Sequence, residues 1–77
     1  MTIKYTVSSC VFIDKNSLPD AAKQFTLQWT DGFGMTLTKR TELLEALEQM
    51  SLYGFNDEFS NFVLKLYDEG YRYIVIA

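Results

Sequence analysis

After Thr38-Lys39-Arg40 the apolar residues change their period. Before that point, in 3–13 and again in 25–38, they recur every second residue. Beyond it they recur every third or fourth, until the closing stretch YRYIVIA restores the period of two. A period of two marks a half-buried strand, and a period near 3.6 marks an amphipathic helix. In a chain of 77 residues both kinds of segment must share one core, because so short a chain has too little apolar surface for two. The switch therefore points to a two-layer α+β domain spanning residues 1–77, with strands and helices in separate runs.

The first strand is read over IKYTVSSCVFI. Ile3, Tyr5, Val7, Val11 and Ile13 alternate with polar residues, and Ser8-Ser9 marks a bulge. DKNSLPDAAKQ follows as a connection with one or two helical turns, for which Ser17 is a candidate cap and Pro19 is tolerated in the first turn. Phe25, Leu27 and Trp29 then alternate with Thr26, Gln28 and Thr30, and Met35 and Leu37 alternate with Thr36 and Thr38. Joined by Asp31-Gly32-Phe33, these two runs predict a hairpin. Residues paired across an antiparallel ladder share a face. The apolar faces match with Trp29 opposite Met35, Leu27 opposite Leu37 and Thr30 opposite Gly34. Gly34 would then supply the positive φ that a three-residue loop needs, so Gly34→Val is expected to destabilise the fold. Gly32-Phe33-Gly34 is not a ligand loop. A dinucleotide fingerprint needs a third glycine where Leu37 stands, and a phosphate loop needs Gly-Lys-Ser/Thr.

Two helices are predicted next. In TELLEALEQMSLYG, Leu43, Ala46, Leu47 and Met50 form one stripe with Leu44 beside them, Thr41 is a fair N-cap and Gly54 a good terminator. Asn56 caps the second helix, Asp57 and Glu58 fill its first turn, Phe59, Phe62, Val63 and Leu66 form its stripe, and Gly70 ends it. YRYIVIA is apolar on both faces and reads as a central or well-covered strand. The expected order is β-β-β-α-α-β: a four-stranded antiparallel sheet with two helices on one face and the last strand beside the first.

Composition narrows the chemistry. One cysteine and no histidine exclude an internal disulfide and ordinary zinc sites. They also leave Cys10 and the serines without a histidine base, so Cys10 is expected to be buried and inert. Asp14-x-Asn16 starts like a calcium loop, but Leu18 and Pro19 stand where a ligand and a glycine are required. No catalytic group, metal or cofactor is expected. The start, MTIKYTVSSC, lacks an apolar signal core, and no apolar run reaches the ~20 residues that cross a bilayer. The expected compartment is therefore the cytoplasm, of the source cell or of a host, with no membrane partner.

What remains is surface. Net charge is −3, and the carboxylates gather in the second half. Glu42, Glu45 and Glu48 recur at i, i+3, i+6 as an acidic ridge expected to face solvent. Phe33, at the hairpin tip, is the candidate exposed anchor. Tyr53 and Phe55 flank the helix joint, where Phe55 is read as a plug for the core and Tyr53 as its partial cover. The binding candidates are thus Phe33, Glu42, Glu45, Glu48 and Tyr53. The expectation is a non-enzymatic protein-interaction module, a small inhibitor, adaptor or regulatory protein, whose partner is another protein of basic or nucleic-acid-binding character. The alternatives are a nucleic-acid binder using the sheet face, and a subunit whose ligand site forms only on oligomerisation. A homodimer is compatible with the sequence.

Overall fold

The computed structural model describes residues 2–29 and 31–77. Its first elements are two short strands, β1 (Tyr5–Val7) and β2 (Val11–Ile13), where one strand was predicted. The chain turns over Ser8-Ser9-Cys10, with the Ser8 N–H donating to the Cys10 carbonyl at 2.9 Å. Tyr5 pairs with Ile13 and Val7 with Val11. The alternation hid this reversal for a simple reason. Val7 and Val11 are four residues apart, so parity is the same on both sides of the turn whether the chain runs on or doubles back.

Asp14 then opens a 3₁₀ turn at Lys15–Ser17, its carboxylate accepting from the Asn16 N–H at 2.9 Å. Ser17 caps no helix. Its hydroxyl donates to the Asp14 carbonyl at 2.6 Å and accepts from the Lys4 N–H at 3.0 Å, tying this turn to the start of β1. α1 (Asp20–Thr26) follows Pro19 directly. It replaces the first half of the predicted hairpin. Leu27 and Trp29 continue its turns, their N–H groups donating to the Lys23 and Thr26 carbonyls. Phe25 and Trp29 satisfied an alternating pattern, yet Leu18, Ala22, Phe25, Thr26 and Trp29 also recur at helical spacing. The helical reading buries Ala22 and Thr26, and the Thr26 hydroxyl is satisfied by the Lys23 carbonyl at 2.8 Å. The pairings Trp29–Met35 and Leu27–Leu37 do not occur, and Thr30 lies outside the described residues.

β3 (Phe33–Thr36) pairs antiparallel with β4 (Tyr73–Ile76), Met35 opposite Ile74 and Gly34 opposite Val75. β4 pairs on its other side with β2, in parallel, Val11 opposite Ile74 and Phe12 opposite Val75. The sheet order is β1-β2-β4-β3. The sheet is therefore mixed, where an antiparallel one was expected. The cause is the one overlooked reversal: β1 still runs antiparallel to β4, but β2, after the hairpin, runs with it. The last strand is central, as its two apolar faces required.

α2 (Arg40–Ser51) and α3 (Asp57–Asp68) form as two helices. Arg40, the first residue of α2, pairs with Asp68, the last of α3, at 3.1 Å. With the short connection at the other end, this closes them into a helical hairpin. α2 starts two residues earlier than predicted, after Lys39 and without a side-chain cap, so Thr41 lies inside its first turn. The Asn56 side chain caps α3 by accepting from the Phe59 N–H at 3.0 Å. Leu43, Leu47 and Met50 from α2, and Phe59, Val63 and Leu66 from α3, are buried with Leu18, Ala22, Leu37 and Phe55 against Val11, Ile13, Ile74 and Ile76. All three helices thus cover the same sheet face, where two were expected. Leu44 stands apart from this cluster, exposed on the outer side of α2.

The glycine needing a positive φ before β3 is Gly32, at 98°, and not Gly34. Gly34 lies in the strand with the hydroxyl end of the Tyr73 side chain against it, in the way of any Cβ. This covering of a strand glycine by an aromatic side chain is a known means of holding sheet register. Gly32→Val is expected to cost roughly 1–3 kcal/mol, because valine there is strained and its Cβ would meet the Ile76 carbonyl oxygen at 3.1 Å. Gly34→Val is expected to cost under about 1 kcal/mol, since Tyr73 is free to swing to solvent and valine favours a strand. Denaturant melts of the two variants measure the difference, and an inverted ranking would contradict this assignment of the turn.

Candidate functional site

Phe25 organises an aromatic, partly exposed corner of the molecule. It sits in the last turn of α1, where the helix brings it toward the α2–α3 joint. Its ring stacks on Tyr53 at 4.5 Å with an interplanar angle of 27°. It meets Trp29 at 5.0 Å, Phe33 edge-on at 5.8 Å and Phe55 edge-on at 5.8 Å. Trp29 also packs edge-on against Phe33 at 4.9 Å, and Phe55 contacts Phe59 at 4.7 Å. These are ordinary favourable aromatic separations, each worth about 0.5–1.5 kcal/mol beyond area burial. The cluster runs from the buried Phe59 outward to Trp29 and Tyr53, which remain 39% and 52% exposed.

Two candidates from different segments are thereby brought together. Phe33 and Tyr53 both rest on Phe25. Phe33 is nevertheless half-buried under Trp29 and is not a free anchor at a hairpin tip. Tyr53 is exposed, and Phe55 beneath it is buried.

Glu42, Glu45 and Glu48 are all exposed on α2. Glu42 lies 3.9 Å from Lys39. Among the described residues no cation lies within salt-bridge distance of Glu45 or Glu48. Leu44, Glu48 and Leu52 stand at i, i+4, i+8 along a row that runs from beside the buried Leu43, Leu47 and Met50 to the side opposite them. Leu52 is 76% exposed, and it precedes Tyr53 directly. The acidic ridge thus carries exposed leucines along one flank and ends at the aromatic corner. Sequence reasoning missed Leu44, Leu52 and Trp29 as surface groups. A helical projection of α2 carried on to Leu52 would have found that residue, because it lies opposite the buried stripe on the wheel; Leu44 lies beside the stripe, and its exposure is a tertiary fact.

A second apolar area lies on the uncovered sheet face. Cross-strand register puts Thr6, Phe12, Val75 and Gly34 in one row there, with Tyr73 and Thr36 beside it. Phe12 and Tyr73 are 40% and 42% exposed on adjacent central strands. Cys10, expected to be buried, is half-exposed in the β1–β2 turn. Among the described residues no group of three or more His, Cys, Asp or Glu side chains could hold a metal ion. No described helix is long and apolar enough to cross a membrane. No protein-family model, curated protein or solved structure matches the chain.

Proposed function

We propose that this chain is a protein-interaction module that docks a basic protein surface on the outer side of α2 and the aromatic corner at its end. The observation that carries this reading is the continuity of the two features. Glu45 and Glu48 are exposed with no salt-bridge partner among the described residues, Leu44 and Leu52 flank them, and Leu52 leads into Tyr53 stacked on Phe25. Interfaces that bind tightly combine a few large apolar or aromatic anchors with a polar rim. Carboxylates at such a rim raise association rates with a cationic partner and set the salt dependence. A chain of this kind acts by occupying its partner's surface, as inhibitors and regulatory subunits do.

The test begins with capture of partners from the source cell, or from the cell it infects, by wild type and variants in parallel, followed by titration of the purified partner. The triple change of Glu42, Glu45 and Glu48 to glutamine is expected to slow association about tenfold at low salt and to flatten its salt dependence. Each exposed charge contributes only about 0–1 kcal/mol to folding, so the melting temperature should move little. Leu52→Ser, at a position with little to lose in the fold, is expected to weaken the same complex about tenfold or more through faster dissociation. Equal affinity and equal salt slope for wild type and both variants would reject α2 as the docking surface.

A further inference from the structure

We propose that the free edge of β3, with the groove between it and α2, takes up an extended basic segment of another protein, which joins the four-stranded sheet as an added outer strand. β3 ends the strand order β1-β2-β4-β3. The Leu37 N–H donates to the Arg72 carbonyl at 2.9 Å, and the register sets Met35 opposite Ile74 and Phe33 opposite Ile76. Bonding alternates along an antiparallel ladder, so Phe33, Met35 and Leu37 turn their backbone groups toward β4. Gly34 and Thr36 turn theirs away from the sheet. Among the described residues no side chain or loop bonds to those outward groups. Proteins commonly close such an edge with a charge, a proline or a bulge. Phe33–Thr36 holds none of these, and its register runs unbroken.

A groove of about 270 Å³ lies along this edge. Leu43, Met35 and Ala46 form its buried and half-buried floor, and Thr36, Thr38, Lys39 and Glu42 form its exposed rim. Alternate side chains of an added strand point to the helix side of the sheet, so one apolar side chain enters the groove over the small Ala46. At the opposite edge of the sheet, the Tyr5 ring occupies the corresponding position by packing on Phe62 of α3 at 4.9 Å.

Hydrogen bonding and charge select the occupant. N–H and C=O groups that point outward at every second residue are met together by an extended backbone, which carries donors and acceptors in the same alternation. Phosphates of a nucleic acid supply acceptors only, and the carboxylates of α2 repel them. A second copy that paired β3 with β3 about a two-fold axis would set α2 beside α2. Each α2 brings Glu42, Glu45 and Glu48, while its Arg40 is engaged by Asp68. A segment with lysine or arginine two residues from its apolar residue places that cation on the helix side, toward Glu42 and Glu45. Glu45 has no cation within salt-bridge distance among the described residues, and the exposed Glu42–Lys39 contact at 3.9 Å exchanges readily.

The probe is the end-blocked heptapeptide Thr-Lys-Thr-Leu-Thr-Lys-Thr, which puts leucine between two lysines on one face. It is titrated into the full chain and followed by amide chemical shifts. The Gly34 and Thr36 amide protons gain hydrogen bonds and should move downfield saturably, while Met35 and Leu37, already bonded to β4, move little. Thr36→Pro removes an N–H that the sheet does not use, a position where an edge strand tolerates proline. It should melt cooperatively and bind the peptide about tenfold more weakly or worse. Ala46→Phe fills the groove, leaves the backbone edge intact and should have the same effect. Replacing both lysines of the peptide by glutamate should also weaken binding about tenfold or more. Leu52→Ser, on the outer side of α2, should bind the probe as wild type does, which separates this site from the docking surface proposed above. The proposal is overturned if the Gly34 and Thr36 amides do not respond at about 1 mM peptide, if both edge and groove variants bind as wild type, or if the glutamate peptide binds equally well. It is overturned too if those amides shift with protein concentration alone, which would make a second copy the occupant, or with oligothymidine in place of the peptide, which would make it a nucleic acid.

Discussion

Replacing Gly54 with alanine is expected to lower the melting temperature by roughly 8–40 °C, while the same change at Gly70 costs roughly 4–16 °C. The two glycines end helices in the same way. Gly54 has φ 98° and Gly70 has φ 101°. In each case a pair of hydrogen bonds closes the last turn, Phe55 N–H to Met50 and Gly54 N–H to Ser51 in one helix, Tyr71 N–H to Leu66 and Gly70 N–H to Tyr67 in the other. This is the αL termination that favours glycine, and forcing an L side chain into it costs about 1–2 kcal/mol. The difference lies in what surrounds them. A Cβ on Gly70 would meet nothing within 4 Å. A Cβ on Gly54 would collide with the Ala21 methyl and come within 2.8 Å of the Ala22 backbone nitrogen. Backbone in α1 cannot swing aside as a side chain can, so an overpacking cost of about 1–3 kcal/mol is added. Thermal unfolding followed by circular dichroism compares the variants directly. Equal shifts for the two would remove the contact between α1 and the helix joint.

That contact also builds the candidate site. Gly54 lets the joint approach α1 at Ala21 and Ala22, one turn before Phe25. Without this approach Tyr53 could not lie 4.5 Å from the Phe25 ring. A residue with no side chain therefore sets the position of the side chain that the docking proposal depends on.

α2, α3 and β4 were legible in the sequence because several signals agreed in each. The apolar stripe, the Asn56 cap, and Gly54 and Gly70 at the helix ends all pointed the same way, and such agreement between local and global preferences marks a well-specified segment. The N-terminal half offered signals that fitted two structures equally. Parity could not separate one strand from a hairpin across Ser8-Ser9-Cys10, and the missed reversal turned an expected antiparallel sheet into a mixed one. Phe25 and Trp29 matched both an alternating and a helical period. The burial of Ala22 and Thr26 decided for helix, and burial is a tertiary fact that no window of sequence contains. The site suffered accordingly. Phe33, Tyr53 and the three glutamates could be nominated singly, but the residue that joins Phe33 to Tyr53 had been placed in a strand.

Phe25→Ala is expected to destabilise the chain by about 2–4 kcal/mol, somewhat below the loss for a fully buried phenylalanine because Phe25 is only half-buried. The same change should release the aromatic corner. Trp29 is the one tryptophan in the chain, so its emission reports on this corner alone. With Phe25 gone, Trp29 keeps its contact with Phe33 at 4.9 Å but loses the ring at 5.0 Å beneath it, and its emission should move to longer wavelength as water enters. Tyr53 loses its stacking partner and with it a fixed orientation, so partner affinity should fall further than it does for a variant of equal instability made elsewhere, such as Val63→Ala in α3. Phe25→Leu separates the two contributions. Leucine fills much of the same volume, so stability should fall by about 1 kcal/mol or slightly more, yet it cannot stack, so the orientation of Tyr53 and the affinity should still suffer. A Phe25→Ala protein that retains wild-type emission would show that the ring does not shield Trp29. A Phe25→Leu protein that binds as wild type would show that the corner contributes apolar volume and not a stacked, oriented tyrosine, which would leave Leu52 and the carboxylates of α2 to carry the recognition.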